Sequence, residues 1–563
     1  MEKKDLYTAL KSCIKKSLDN CFPNLNIDFE LNFCKELSQG DFYSNVIFKL
    51  ARLIEKTAGE IKDKFLPKLE EAIKANSFLK NAIKEIDFKL PGFINFFLSE
   101  EYLSKTVFNC LSEGDKFGSS SEGKNESVLI EFVSANPTGP LSIAHGRQAA
   151  IGDALANIFS FLGYRVEKEY YINDEGTQIE NLAKSIWVRY RELLGEKIEL
   201  PPDGYKGDYI VEVAKKLSLD KEKYKEWNQE SKEFFIEFGC KEMLRIIKED
   251  LDKFGIRFDN WISQASLNKS SKVKKVINFL KEKDFMYEKD GAIWLKSTLF
   301  GDDKDRVVVK SDGSFTYIAS DLAYHKDKYE RGYNLLINLW GPDHHGYIPR
   351  LRAGIKAMGY DDTKLKIIIV QLATLYRNGE MVPMSTRAGK FITLEEIIRE
   401  IGKDVAKFFF LNRRLDSHLD FDIELAKKES KENPVYYIQY AHARINSLKN
   451  YAYEKGIDIE KLISQYRDVE FLISNLGEEE FKIIRILQQF PYTVKEVTYN
   501  LEPNILIVYL QNLAKYFHHY YSHYRIIDSD SEKSYAKMFV ALAVGVVLRN
   551  GLRLLGISFP ERM

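Results

Sequence analysis

The sequence predicts a multidomain α/β protein: a parallel-sheet domain between an α+β N-terminal part and an all-α C-terminal part. Three observations carry this expectation. The chain has 563 residues, which at roughly 150 residues per domain is three or four domains. Strand, glycine turn, helix and strand follow one another between Val128 and Ile172, and this βαβ order implies a parallel sheet with a ligand site at the strands' carboxyl ends. From about residue 401 onward the pattern is nearly all helical. Hydrophobic residues at 45% and aromatics at 13% supply several cores, which excludes global disorder. Lys plus Arg and Asp plus Glu both number 83, so the chain is not a uniformly basic nucleic-acid binder, although local basic patches stay open.

The elements divide in order. Residues 1–112 mix helical periodicity, as in Ile47 to Ile54, with an alternating aromatic strand near Phe93-Ile94-Asn95-Phe96. Residues 113–127 are rich in Gly, Ser and charge, which predicts a flexible linker. Residues 128–400 form the α/β domain. Its strands are Val128 to Val133, Arg165 to Ile172, Tyr333 to Trp340 and Leu365 to Val370, and a charged helical stretch at about 190–300 reads as an insertion. A connecting segment, 401–433, leads to a helical domain at 434–563.

The apolar run Met538 to Leu548 lies between Lys537 and Arg549. It is shorter than the ~20 residues of a membrane span and predicts a core helix. The N-terminus has mixed charge and no apolar h-region, so a secretory signal is not expected. Cys13, Cys21, Cys34, Cys110 and Cys240 are irregularly spaced and suggest free thiols in a cytoplasmic protein. His344 and His345 have no third ligand at zinc-like spacing, and no metal site is expected.

After the first strand comes Leu141-Ser142-Ile143-Ala144-His145-Gly146-Arg147. A histidine at a helix start sits where backbone N–H groups favour anions, and glycine lets a planar ligand approach. A capping serine beside an ordinary histidine gives the same heptapeptide.

The longer stretch Ser134-Ala135-Asn136-Pro137-Thr138-Gly139-Pro140-Leu141, continued by His145-Gly146-Arg147-Gln148-Ala149, resembles the first signature of the arginyl-tRNA synthetases, which are class I enzymes. Ser142 and Ala144 stand where that signature has His and Gly. Gly40 to Asn45 and Pro91 to Phe96 are similar to the family's N-terminal tRNA-binding domain. Further matching stretches are Phe300 to Arg306, Ser311 to Tyr317, Asp321 to His325, Trp340 to Gly346, Asp416 to Asp422 and Asn433 to Ile445. The second class I signature, Lys-Met-Ser-Lys-Ser, corresponds to Pro383-Met384-Ser385-Thr386-Arg387-Ala388-Gly389-Lys390, with Pro383 and Thr386 in place of its lysines.

The resemblance implies a Rossmann-like catalytic domain, an α-helical anticodon-binding domain, and ligation of L-arginine to its tRNA by way of an arginyl-adenylate. ATP is the second substrate with Mg2+ accompanying it, no protein-bound zinc is implied, and the expected state is a monomer. Arginine would be held by Glu131, Ser134, Asn136, Tyr317 and Asp321, because a planar cation asks for carboxylates that match its fork of donors. ATP would meet Pro137, Gly139, His145, Gly146, Gly341, Asp343, His344, Met384 and Ser385. His145 and Ser142 would donate to phosphate oxygens, and Arg387 and Lys390 would supply the charge that Pro383 and Thr386 lack. Phe93, Asn95, Tyr437, Tyr440 and Arg444 would contact tRNA, as aromatics interleaved with bases suit unpaired nucleotides. A catalytically inactive tRNA-binding paralogue is the alternative: Ser142, Ala144 and Pro383 favour it, and the intact Glu131, Asn136, Tyr317 and Asp321 oppose it.

Overall fold

The computed structural model describes residues 5–217, 223–382, 391–430, 432–528 and 531–563. Its centre is a five-stranded sheet in the order Leu365–Ile369, Leu335–Trp340, Ser127–Glu131, Arg165–Ile172, Asn260–Ser263, with every neighbouring pair parallel. The chain leaves Ser127–Glu131 toward one side of the sheet and later returns on the other. This makes the carboxyl end of Ser127–Glu131 the switch point where such sheets open a crevice.

Alternation along that strand decides what meets what. Val128 and Ile130 join the main core, whereas Leu129 joins a second core on the opposite face, with Leu336, Ile318 and Leu322. Glu131 shares parity with Leu129 and is therefore turned toward the helix Tyr317–Glu330. The other face is covered by the helix Ile143–Phe161, called here the signature helix, whose small residues pack closely. A Cβ on Gly152 would lie 2.2 Å from Phe132 Cγ.

The N-terminal part is α+β: helices cover an antiparallel sheet ordered Leu31–Phe33, Phe42–Ser44, Phe93–Leu98, Ile83–Lys89. From residue 434 the described elements are helices. The N-terminal and C-terminal parts share one continuous core. Tyr492 joins them, its ring 5.7 Å from Phe33 and 6.1 Å from Phe42. The helix Ser531–Leu554 is long and apolar enough for a membrane span, but its faces are buried inside the protein, as in a core helix.

Three expectations need correction. The 113–127 segment is not a free linker. Asn550 Nδ2 donates to the carbonyls of Gly114 and Phe117 at 2.9 and 3.1 Å, and Arg549 and Arg553 pair with Asp115 at 2.7 and 3.0 Å. Its polar composition marks irregular backbone, and that backbone finds its partners on the C-terminal helix. The 190–300 stretch is not wholly an insertion, because Asn260–Ser263 becomes the edge strand of the central sheet and two further strands, Met286–Lys289 and Ala292–Leu295, form a hairpin. The region after 401 also contains a strand, Leu419–Asp422, parallel to Ala373–Arg377.

The Gly152 contact gives a direct test. Gly152→Ala forces a methyl against Phe132, which is itself held 4.4 Å from the ring of Phe258, so we expect a loss of about 1–3 kcal/mol. A thermal melt reads it; an unchanged midpoint would mean that the signature helix is not packed this tightly.

Candidate active site

The central strand ends at Glu131 in a strained turn. Val133 and Ser134 have φ of 69° and 40°, a region that a β-branched residue such as valine rarely enters, and each such residue costs about 1–3 kcal/mol. Side chains hold the turn. Ser134 Oγ donates to Glu131 Oε1 at 3.0 Å and accepts from the Tyr171 N–H at 3.2 Å. Tyr170 Oη donates to the Ala135 carbonyl at 2.8 Å, and Phe132 packs tilted against Phe258. The turn delivers Asn136, whose Nδ2 donates to Gln178 Oε1 at 2.8 Å.

Beneath the turn lies a buried polar network. Asn338, Glu131 and Glu169 are lateral partners on three adjacent strands. The helix Tyr317–Glu330 lays Tyr324, His325 and Lys328 across them. Lys328 has no exposed side-chain surface; its Nζ pairs with Glu131 Oε2, donates to Asn338 Oδ1 at 2.9 Å, and lies 4.0 Å from Glu169. Glu169 accepts from Tyr324 Oη at 2.7 Å and from both terminal nitrogens of Arg331 at 2.6 and 3.0 Å. His325 approaches Asn338 through Nε2 at 3.0 Å, and its Nδ1 lies 2.8 Å from the Asp321 carbonyl. Burial pushes its pKa down to about 3, so the ring is neutral.

Asp321 differs from the two glutamates. Among the described residues it has no ion-pair partner, and its side-chain hydrogen bond comes from Tyr347 Oη. Burial raises its pKa to about 6, opposed by the Tyr347 hydrogen bond. Lys328 and Arg331 thus answer Glu131 and Glu169, and Asp321 is the carboxylate of the three with no cation paired to it among the described residues. Tyr317, one turn earlier, is 65% exposed. It is therefore a surface residue at the start of the helix and is not enclosed with Asp321.

The signature turn precedes its helix. The Ser142 N–H donates to His145 Nδ1 at 3.1 Å, with Ser142 Oγ 3.2 Å away. An Nδ1 that accepts leaves the proton on Nε2. Burial lowers the His145 pKa to about 4, so it is a neutral donor through the physiological range. The Ser142 hydroxyl faces this imidazole. Gly146 is buried, and a Cβ there would lie 2.7 Å from Leu394 Cδ1 and 2.9 Å from Phe410 Cε2. Its lack of a side chain therefore answers to helix packing, where ligand approach was expected. A Cβ on Gly139 would lie 2.9 Å from Tyr209 Oη, and Pro137 is buried. Arg147 is fully buried, its guanidinium donating to the carbonyls of Gln371, Ser417 and Arg414 at 2.7, 3.0 and 2.8 Å.

Gly341, Asp343 and His344 lie just past the carboxyl end of Leu335–Trp340, with both side chains exposed. The exposure makes His344 a surface group rather than a core histidine. Pro383, Met384, Ser385, Arg387 and Lys390 lie outside the described residues. Just past them, the Leu394 N–H donates to the Leu141 carbonyl at 2.7 Å, which joins the two signature regions.

The expected tRNA residues fall into two groups. Asn95 is buried, with 5% of its surface exposed, and belongs to the N-terminal sheet, whereas Phe93 is half-buried, 5.8 Å from Tyr43. Tyr437, Tyr440 and Arg444 lie on one C-terminal helix, Pro434–Glu454, and meet His518 and Tyr521 of the helix Asn504–His523. Arg444 lies 4.4 Å over Tyr440 and 4.9 Å over Tyr521, and His518 sits 4.4 Å from Tyr437. Phe517 and Tyr520 are core, and His519, His523, Tyr524 and Arg525 are exposed.

Glu169, Tyr171, Tyr324, Lys328, Arg331 and Tyr347 were not anticipated. The available signal was a lysine seven residues after Asp321, two turns on along the same helix. No group of three His, Cys, Asp or Glu side chains is arranged for a metal ion among the described residues.

Comparison with known proteins then bears on the whole chain. Residues 8–98 match the family described as arginyl tRNA synthetase N terminal domain, 106–454 match the class I tRNA synthetase (R) catalytic domain, and 438–563 match the DALR anticodon binding domain. An arginine–tRNA ligase of Syntrophotalea carbinolica is 42% identical over 98% of this chain and 99% of its own length. One of Thermotoga maritima is also 42% identical, over 99% and 100%. The solved arginyl-tRNA synthetase of Thermus thermophilus, 20% identical, superposes with a TM-score of 0.76 over 99% of this chain and 100% of its own, which speaks to the fold.

The buried lysine yields a stability prediction. Lys328→Met leaves Glu131 without a buried counter-charge, while Glu169 keeps Arg331, and removal of one partner from such a group costs about 3–5 kcal/mol. We expect a lower urea midpoint, partly restored when Glu131→Gln is added. A single variant as stable as the parent would contradict the pairing.

Proposed function

The chain belongs to the arginyl-tRNA synthetase family, and from that premise we propose how its residues divide the work. The reaction is the ATP-dependent ligation of L-arginine to tRNA, with release of AMP and pyrophosphate. The inactive-paralogue alternative draws no support from relatives that match over the whole length.

The observation that carries the site assignment is Asp321, a half-buried carboxylate with no ion-pair partner among the described residues, beside carboxylates that already have cations. A guanidinium fits it by fork-to-carboxylate pairing. Tyr317 closes the mouth, Asn136 holds the α-amino end, and Glu131 and Ser134 fix the floor. The arginine carboxylate then attacks the α-phosphate of ATP and pyrophosphate leaves. This step needs alignment and donors aimed at developing charge. His145 is the donor, through Nε2–H, and Ser142 keeps that tautomer by occupying Nδ1. Magnesium arrives with the nucleotide as part of the substrate, held by phosphate oxygens and water. Pro137, Gly139, Gly341, Asp343 and His344 line the nucleotide's side. Met384 and Ser385 complete it on the second signature, where Arg387 and Lys390 stand in for the missing lysines. A tRNA hydroxyl finally attacks the adenylate, with Phe93, Asn95, Tyr437, Tyr440 and Arg444 gripping the tRNA. The working form is a monomer, consistent with the shared core that joins its ends. Its five cysteines carry no disulfide, which suits the cytoplasm.

The pocket reading makes a pH prediction. A carboxyl with a pKa raised to about 6 is ionised above that pH and neutral below it. Arginine KM should therefore rise as pH falls through about 6, by about tenfold per unit. Asp321→Asn should raise KM at all pH and flatten this dependence. An unchanged arginine KM in Asp321→Asn would remove Asp321 from the pocket.

The second signature is tested separately. Loss of a positioned charge from a phosphoryl-transfer site costs about a hundredfold in rate. Arg387→Ala combined with Lys390→Ala should thus depress tRNA-dependent ATP–pyrophosphate exchange by that order. Exchange at the parent rate would send the search for the cation elsewhere.

A further inference from the structure

One buried polar atom beside Asp321 has no work in the free enzyme. Tyr171 is next to last in the strand Arg165–Ile172, at its carboxyl end. Its ring stacks on Tyr324 with centroids 4.4 Å apart, and its N–H is taken by Ser134. Its Oη is buried and makes no hydrogen bond among the described residues. Burial and the charges of Asp321, Glu131, Asp174 and Glu175 push its pKa far above the usual phenol range, so it keeps its proton. Three of those carboxylates are occupied: Glu131 by Lys328, Asp174 by Ser263 Oγ at 2.6 Å and the Ala265 N–H at 2.8 Å, and Glu175 by Asn268. Asp321 and the Tyr171 hydroxyl are left with capacity to spare.

We propose that Tyr171 is a further specificity-determining residue of the arginine pocket, its hydroxyl accepting a guanidinium N–H beside Asp321. The inference rests on the assignment of this pocket to arginine. A guanidinium carries five N–H donors in a rigid plane, and one carboxylate can receive two of them. A neutral phenol supplies a further acceptor without adding charge. Its own O–H stays free to donate to a neighbouring carboxylate. Lysine, with a compact ammonium of three rotatable donors, depends less on an acceptor at this angle. A hydroxyl buried without a partner destabilises the free protein, and a site that binds ligand is where such a group persists.

Tyr171→Phe deletes one oxygen and keeps the stack on Tyr324. Arginine KM should rise about tenfold, more than kcat changes, and the preference for arginine over lysine should shrink by a similar factor. The melting temperature should stay level or rise, because an unpaired hydroxyl has been removed. A merely structural tyrosine would instead lose stability and leave the arginine-to-lysine ratio where it was. Parent-like KM in Tyr171→Phe, or a fall in its melting temperature, overturns the inference. Asp321→Asn run alongside separates two failures. If only Asp321→Asn raises KM, Tyr171 alone is wrong; if neither does, the pocket assignment falls with it.

Discussion

The pairing of Lys328 with Glu131 and Glu169 is the constraint on which the rest of the site depends. Two carboxylates on adjacent parallel strands, both nearly without solvent, would repel each other and lose hydration. A lysine from the covering helix removes that conflict and, in doing so, fixes the helix against the sheet. Arg331 and Tyr324 add to the hold on Glu169. The registration of the helix determines where Asp321 lies, two turns before Lys328. The open carboxylate is thereby set by a neighbouring pair that is already neutral.

The strained turn after Glu131 belongs to the same arrangement. Positive φ at Val133 and Ser134 turns the chain out of the sheet sooner than an ordinary strand end would. Ser134 links this turn to both Glu131 and the Tyr171 backbone. The turn after Glu131 and the start of the signature helix are thus successive parts of one short connection. The signature helix then carries Arg147 into a ring of carbonyls from 371, 414 and 417. Glu502, between C-terminal helices, accepts the Leu415 N–H at 3.2 Å, so the helical domain reaches the same loop.

Much of this was legible in the sequence. Period-two and period-3.6 patterns located the strands of the central sheet, except the four-residue edge Asn260–Ser263, hidden in a charged stretch with no room for alternation. Motif resemblance brought Glu131, Asn136, His145 and Asp321 forward. The partners of Lys328, Glu169 and Tyr171 were not legible, because they come from the packing of the helix Tyr317–Glu330 on strands far from it in sequence, which no local pattern encodes. The 113–127 segment misled for a similar reason: its composition reports on local backbone, whereas its rigidity comes from Asn550, Arg549 and Arg553 more than 400 residues away. Gly146 was read in sequence as room for a ligand, and only the positions of Leu394 and Phe410 show that packing requires it.

In the proposed reaction a single open carboxylate, Asp321, receives the cation while its neighbours are already paired. Calorimetry of L-arginine binding in buffers of different ionisation enthalpy counts the protons exchanged. Because the Asp321 pKa is raised to about 6, arginine binding at pH about 5 should release close to one proton, and by about pH 8 it should release none. Binding that releases no proton at the lower pH would contradict the account.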